Sequence, residues 1–165
     1  MMNPKISVII PVYNVENYLE ETLNNITNQT FFENTEVLLV DDGSTDNSGH
    51  IVDKYASDYD NIYAFHKVNE GQCVARNFAL SHVKGEYIHF MDSDDLIKYD
   101  AYEKLYAFAK KGNYDVVTFN YLRFDEEKDK LKEYLKKILT KNPETGKLYN
   151  KKDKADWILI WWKKD

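Results

Sequence analysis

Three aspartates within four residues form the segment of this sequence that is best suited to carry chemistry. Asp92, Asp94 and Asp95 follow a short apolar run, YIHFM at 87–91, which is typical of a buried strand. Like charges placed so close together are unfavourable unless a positive group lies among them. One carboxylate can cap a following helix, but a cap does not account for all three. Hard cations such as Mg²⁺ take oxygen ligands, so we predict that Asp94 and Asp92 bind a divalent metal ion.

A calcium-binding loop is the nearest alternative for the same segment. Asp92, Asp94 and Glu103 match its first, third and twelfth positions. Its fifth and sixth positions require an oxygen ligand and a glycine, whereas this sequence has Leu96 and Ile97 there. We therefore exclude that loop and expect a Mg²⁺-like ion that is shared between one or two carboxylates and a ligand phosphate.

A second acidic cluster follows another apolar run, EVLLV. Asp41 and Asp42 open the turn DDGSTD, which continues to Asp46. Helix capping explains Ser44 or Asp46, but it does not explain two adjacent aspartates at a strand end. For Asp41 and Asp42, a ligand-binding role and a structural role both stay open.

Other phosphate-binding devices are missing from the sequence, which contains neither GxxxxGK[ST] nor GxGxxG after a strand. A phosphate-bearing ligand would therefore depend on the metal ion and on a basic side chain. Arg76 is the candidate, although a surface salt bridge would also explain it. Tyr13 could stack on a flat base or simply fill the core. His66, His82 and His89 lack metal-ligand spacing, and we predict that they are structural.

Strand and helix patterns alternate over the first 124 residues. The predicted strands are 5–11, 36–40, 61–67, 86–91 and 114–124. The predicted helices are 16–30, 46–59, 70–83 and 100–111. The alternation predicts an α/β fold with a mostly parallel sheet and helices on both faces. Ligands of such sheets bind beyond the carboxyl ends of the strands, where the polar clusters after the first, second and fourth strands should converge.

The charge of the chain is unevenly distributed. Of the 165 residues, 43% are hydrophobic and 30% are charged, as in ordinary globular proteins. The formal net charge of −6 argues against a nucleic acid partner, which requires a basic face. Residues 1–124 carry a net charge of −9, whereas residues 125–165 carry +3. We therefore predict an acidic α/β core over 1–124 and a basic, helical tail over 125–165.

The single cysteine, Cys73, excludes an internal disulfide and favours a reducing compartment. We predict that it is a small buried residue. No apolar run has the length of a signal sequence or a membrane span. These features predict a cytoplasmic protein, with contact to the inner face of the membrane as an option for the tail.

The tail ends on three tryptophans, Trp157, Trp161 and Trp162, followed by two lysines. On a helix, the residues at 157 and 161 would be i, i+4 neighbours. We favour docking of this helix onto the acidic core, because exposed tryptophan clusters promote aggregation. The alternative is an interfacial helix that makes peripheral contact with an anionic membrane.

Four stretches of the sequence together resemble the family 2 glycosyltransferases, which are inverting nucleotide-sugar enzymes with the GT-A fold. The stretches are SVIIPVYN, LLVDDGSTDNS, NEGQCVARN and GEYIHFMDSDD, and they occur in the family's order over most of 5–115. The resemblance implies a Rossmann-like, mostly parallel sheet. It also implies a hexosyltransferase reaction on a nucleotide-sugar donor, with UDP as the expected nucleotide and polysaccharide biosynthesis as the setting.

The resemblance also assigns roles to individual positions. Nucleotide binding is implied for Pro11, Val12, Tyr13, Glu16, Asp42, Arg76, Asp92 and Ser93. Asp42 matches the carboxylate that reads the uracil edge. Asp92-Ser93-Asp94 matches the DXD motif, in which Asp94 binds Mn²⁺ or Mg²⁺ and Asp92 faces the ribose or the metal.

The acceptor side of the implied reaction is less defined. The resemblance implies a carbohydrate or lipid-linked acceptor and a carboxylate that acts as general base. No stretch matches the family's base-bearing motif, and nothing places Asp153 or Asp156 in that role. A non-catalytic sugar-nucleotide-binding module, or a donor half that lacks the base, is therefore an alternative. A nucleotidyltransferase would show a glycine-rich, basic loop after the first strand. The segment PVYNVEN is neither glycine-rich nor basic.

Overall fold

The computed structural model describes residues 3–119 and the strand Leu159–Lys163. The strands are β1 (Ile6–Val12), β2 (Thr35–Asp41), β3 (Ile62–His66), β4 (Tyr87–Phe90), β5 (Val116–Phe119) and β6 (Leu159–Lys163). The helices are α1 (Glu16–Thr27), α2 (Ser48–Asp58), α3 (Gln72–Leu80) and α4 (Ala101–Gly112), with a short 3-10 turn at Phe32–Asn34. Among these residues, no helix is long and apolar enough to cross a lipid bilayer.

All six described strands belong to one sheet in the order β3-β2-β1-β4-β6-β5. β1 pairs in parallel with both β2 and β4, and β2 pairs in parallel with β3. β6 lies between β4 and β5 and is antiparallel to both. The predicted α/β fold with a mostly parallel sheet is therefore confirmed.

Helices cover both faces of the sheet, as predicted. Every residue of β1 and β2 is buried, which matches the continuous apolar runs of strands covered on both sides. Because neighbouring side chains of a strand point to opposite faces, Ile10 packs with α1 and α2 while Ile9 packs with α3. Ala75 and Ala79 of α3 are fully buried, so this helix packs close to the sheet.

The end of the chain differs from the prediction. Residues 157–162 were expected to be helical, but Leu159–Lys163 forms β6. The local sequence, LIWWK, is rich in β-branched and aromatic residues, and its backbone pairs with strands on both sides. Tertiary pairing therefore overrides the helical spacing. The rest of the basic tail lies outside the described residues, including the predicted helical segment and the carboxylates at 153 and 156.

A buried carboxylate organises the amino-terminal edge of the sheet. Glu36 is only 3% exposed, and its Oε1 accepts hydrogen bonds from Ser7 Oγ at 2.5 Å and from the N–H groups of Lys84 and Gly85 at 2.5 and 3.1 Å. Gly85 passes so near β1 that a Cβ at this position would lie 2.6 Å from the Ser7 nitrogen. Glu36 therefore joins β1, β2 and the turn before β4 at the edge opposite to the carboxyl ends.

Replacing Glu36 with alanine should lower the free energy of unfolding by about 1–3 kcal/mol, because buried N–H and hydroxyl donors would lose their acceptor. Urea denaturation followed by circular dichroism measures this loss. The matched control is Glu33→Ala, since Glu33 is exposed in the 3-10 turn. Equal stabilities of the two variants would contradict the assigned role.

Candidate functional site

A cleft of about 410 Å³ opens beyond the carboxyl ends of β1, β2 and β4. It is lined by Pro11, Val12, Tyr13, Asp42, Asn69, Gly71, Gln72, Asp92, Ser93 and Asp94. The three polar clusters that follow these strands in the sequence thus lie together, as the parallel topology predicts. Seven of the predicted site residues line the cleft, and Glu16 and Arg76 do not. The binding role of each residue stays a prediction.

Tyr13 stands at the mouth of the cleft with 48% of its surface exposed, which excludes the alternative of a core residue. Its neighbour Asn14 has a φ of 50°, in the left-handed region. The Asn14 side-chain oxygen accepts the Thr45 N–H at 2.8 Å, and the Asn14 N–H donates to Ser44 Oγ at 3.1 Å. These bonds fasten the loop after β1 to the loop after β2, and they hold Tyr13 in place.

Glu16 acts in a reciprocal capping arrangement between α1 and α2. Its carboxylate accepts the Asn47 N–H at the start of α2 at 2.8 Å, and its own N–H donates to Asp46 at 3.1 Å. Asp46 also accepts the Ser48 N–H at 2.9 Å, which is the capping contact that the sequence predicted. Burial raises the pKa of Asp46, but the hydrogen bonds from Ser48 and Glu16 outweigh this effect and lower it.

The adjacent aspartates of the second cluster have different surroundings. Asp41 accepts the Ser44 N–H at 3.0 Å and contacts His66 Nδ1 at 3.0 Å, and His66 Nε2 lies 2.8 Å from Asp53. Hydrogen bonds with Asp41 and Asp53 raise the pKa of His66, which stabilises the imidazolium form. Asp41 therefore shapes the turn after β2, and His66 has the structural role that was predicted.

Asp42 faces the cleft and also holds the loop that follows β3. Its Oδ1 accepts hydrogen bonds from Lys67 Nζ at 2.9 Å and from the Glu70 N–H at 3.1 Å, and its Oδ2 accepts the Gly71 N–H at 2.7 Å. Burial raises the pKa of Asp42, but these three hydrogen bonds and the charge of Lys67 bring it below its usual value. Asp42 is therefore an ionised carboxylate in the wall of the cleft.

Arg76 provides a positive charge for the first acidic cluster. Its Nη2 lies 2.5 Å from Asp92 Oδ1, so the salt bridge considered from the sequence is formed, and its partner is a predicted site residue. Burial together with the charges of Asp92 and Asp94 raises the pKa of Asp95 to about 6. Burial is the larger cause of this rise, and the two neighbouring carboxylates add to it.

The donors and acceptors that sequence analysis missed lie in the loop 67–72. Lys67 is bonded to Asp42, and Asn69, Gly71 and Gln72 line the cleft. Gly71 has a φ of 91°, which L-residues rarely adopt, and α3 begins directly after it. The sequence signal that could have identified this loop as part of the cleft was a glycine next to polar residues, between a strand and a helix. Cys73, predicted to be buried, is exposed because it points away from the packed face of α3.

Glu16→Ala should lower the free energy of unfolding by about 0.5–2 kcal/mol, since α2 loses a carboxylate acceptor at its amino end. It should leave nucleotide affinity nearly unchanged, because Glu16 lies outside the cleft lining. Denaturant unfolding and calorimetric titration with UDP measure the two effects. A large loss of affinity with unchanged stability would instead assign Glu16 to ligand binding.

Comparison with known proteins identifies related sequences. The family described as Glycosyl transferase family 2 matches residues 7–159. The glycosyltransferase GlyG of Streptococcus pneumoniae is 43% identical over 126 residues, which cover 76% of this chain and 42% of the relative. The poly(ribitol-phosphate) beta-glucosyltransferase of Bacillus spizizenii is 44% identical over 115 residues, which cover 68% of this chain and 18% of the relative.

Solved structures extend the comparison. S. aureus TarS 1–349, in complex with UDP-GlcNAc, has a TM-score of 0.64 and 35% sequence identity, and the match covers 76% of this chain and 38% of that structure. The mannosyltransferase PcManGT of Pyrobaculum calidifontis, in complex with GDP-Man and Mn²⁺, has a TM-score of 0.53 and 32% identity over 58% of this chain and 29% of that structure. The chain spans less than half the length of each of these relatives. Its sequence and its fold agree that it belongs to glycosyltransferase family 2.

Proposed function

We propose that the cleft binds a UDP-sugar and that the protein transfers the sugar, with inversion, to an acceptor hydroxyl. The observation that carries this proposal is the convergence of Tyr13, Asp42, Asp92 and Asp94 in one cleft of a family 2 chain. The similar TarS structure holds UDP-GlcNAc, which supports a uridine donor.

The nucleobase fits between the loops after β1 and β2. The exposed ring of Tyr13 offers a flat surface for stacking, and stacking on an aromatic side chain tolerates any base. Asp42 supplies selectivity, because an ionised carboxylate accepts a hydrogen bond from a ring N–H. Uracil carries such a group. Pro11 and Val12 form the floor of the same part of the cleft.

The Asp92–Asp94 segment fits a divalent cation, Mn²⁺ or Mg²⁺. Asp92 and Asp94 line the cleft, and carboxylate oxygens are the ligands that such cations prefer. No cluster of three or more metal-ligating side chains occurs within residues 3–119, so the donor's phosphates would complete the coordination. A bound cation stabilises the negative charge that develops on a diphosphate leaving group. Arg76 holds Asp92 at the cleft, and its guanidinium lies near enough to the segment to add positive charge.

The acceptor and the cellular setting are further parts of the proposal. Inversion requires a base that removes the proton of the acceptor hydroxyl as it attacks opposite the diphosphate. The relatives include a protein named for minor teichoic acid biosynthesis in Bacillus subtilis, which supports a carbohydrate or lipid-linked acceptor and a role in surface polysaccharide synthesis. We propose that the protein meets such an acceptor in the cytoplasm, at the inner face of the membrane.

UDP should bind at least about tenfold more tightly with Mn²⁺ than in EDTA, because Asp94 would hold a cation that offsets the negative charge of the diphosphate. Asp94→Ala should abolish this difference. Calorimetric titration with and without Mn²⁺ measures both. Asp60→Ala is the matched control, since Asp60 is exposed in the turn before β3, at the opposite edge of the sheet. Equal affinity of the unmodified protein in Mn²⁺ and EDTA would refute metal assistance.

Asp42→Ala should weaken UDP binding by roughly 1.5–3 kcal/mol, the value of a hydrogen bond to a charged group. The unmodified protein should prefer UDP to CDP. Competition titrations with the two nucleotides test both statements. If UDP and CDP bind alike to the protein and to the variant, Asp42 serves only to hold the loop after β3.

Transfer itself is tested by a donor screen. Incubation with UDP-, GDP- and dTDP-sugars and Mn²⁺ should release the nucleoside diphosphate at the highest rate from the UDP-sugar. Tight binding of a UDP-sugar without hydrolysis or transfer would favour the alternative of a sugar-nucleotide-binding module.

A further inference from the structure

Lys67 does not line the cleft, but it is bonded to a residue that does. Its side chain is less exposed than that of Arg76, which is also bonded to a lining carboxylate. The Nζ of Lys67 lies 2.9 Å from Asp42 Oδ1, 2.8 Å from the Val68 carbonyl oxygen and 2.8 Å from Glu70 Oε2, and its side chain is 13% exposed. An ammonium group has three N–H donors, and here each has an acceptor. Lys67 therefore has no donor left for a ligand, and its influence on the cleft passes through Asp42.

The contacts of Asp42 leave one position for a ligand. A carboxylate has about four lone-pair sites. Lys67 and the Glu70 N–H use those of Oδ1, and the Gly71 N–H uses one of Oδ2. One lone-pair site of Oδ2 has no partner among these three bonds, and because Asp42 lines the cleft we assign that site to a ligand. A carboxylate that keeps its negative charge can only accept this bond, whereas a protonated carboxyl could donate it.

We propose that Lys67 sets the base preference of the cleft by keeping Asp42 an obligate hydrogen-bond acceptor. An obligate acceptor selects uracil, whose N3 carries a hydrogen, over cytosine, whose N3 is itself an acceptor. The inference rests on the proposed binding of a nucleotide-sugar. It adds Lys67 as a positioning residue that maintains the selectivity of Asp42. If cytosine occupied the cleft, its N3 and the Asp42 carboxylate would be two acceptors facing each other without a hydrogen between them. Both would stay unpaired, so cytosine would bind more weakly than uracil.

The charges around Asp42 make the dependence on Lys67 strong. Asp41 precedes it, Glu70 lies in the loop that it holds, and Asp92 and Asp94 line the same cleft. These groups are all carboxylates, and Asp41 contacts His66. Lys67 is the cation bonded to Asp42, and burial already favours the neutral form of the Asp42 carboxyl. Without Lys67, the pKa of Asp42 would rise, and protonation would begin at a higher pH than in the unmodified protein.

The test compares UDP-glucose with CDP-glucose, which differ only in the base. Affinities are measured by calorimetry with Mn²⁺ between about pH 5.5 and pH 8 for the protein and for Lys67→Met, a range well above the ordinary pKa of an aspartate. The unmodified protein should prefer UDP-glucose throughout this range, with an affinity for UDP-glucose that stays constant. In Lys67→Met, the affinity for UDP-glucose should fall at least about tenfold at the lower pH and recover as the pH rises.

Controls separate this effect from general damage to the cleft. Lys67→Arg retains the charge and should keep a pH-independent affinity for UDP-glucose. Lys84→Met removes a lysine whose Nζ lies over the Tyr63 ring, 4.9 Å from its centroid, and should behave like the unmodified protein. If Lys67 had a merely structural role, its loss would lower the affinities for UDP-glucose and CDP-glucose equally and leave their ratio unchanged. That result would overturn the proposal.

The unmodified protein provides an independent check if Lys67→Met does not fold. An affinity for UDP-glucose that falls between about pH 8 and pH 5.5 in that protein would mean that Asp42 is not held ionised, and the proposal would fail. If the unmodified protein binds both nucleotide-sugars equally at every pH, the proposed uridine specificity itself is wrong. If it prefers UDP-glucose and Lys67→Met does too at every pH, only the role of Lys67 is wrong.

Discussion

The parallel pairing of β1 with both β2 and β4 is the constraint on which the site depends. Parallel strands end at the same edge of a sheet, so the segments that follow these three strands must meet there. The residues after β4 include Asp92 and Asp94, and those after β1 and β2 are Tyr13 and Asp42. The cleft is therefore a consequence of strand order, and burial of β1 on both faces keeps that order in place.

The loops at this edge are held by one another more than by the sheet. Asn14 and Glu16 bond to the loop before α2, and Asp46 and Ser48 bond back to the start of α1. Each helix thus finds acceptors for its free N–H groups on the other loop. Asn25 of α1 makes two hydrogen bonds with the backbone of Ile97, at 2.8 and 2.9 Å, which anchors the segment after Asp95. Rigid loops of this kind can present Tyr13 and Asp42 in a fixed geometry.

The acidic groups of the site are balanced in three different ways. Lys67 and two N–H groups hold Asp42 ionised, and His66 contacts Asp41. Arg76 pairs with Asp92, and burial together with the charges of Asp92 and Asp94 raises the pKa of Asp95. A buried carboxylate needs a fixed partner, whereas a carboxylate at an open cleft can have an exchangeable one. The cleft therefore combines a buried, permanent counter-charge at Asp42 with the more exposed Arg76–Asp92 pair.

The amino-acid sequence by itself determined the alternation of strands and helices, the mostly parallel sheet and the meeting of Tyr13, Asp42 and Asp92–Asp94, because hydrophobic periodicity and parallel topology leave few other arrangements. Only the tertiary structure decided which polar residues line the cleft. Glu16 caps α2, Cys73 is exposed, Lys67 supports Asp42 and Leu159–Lys163 is a strand, since each outcome depends on partners that are distant along the chain. Such contacts have no local signature: a carboxylate that caps a helix and one that binds a base look alike until their neighbours are in place.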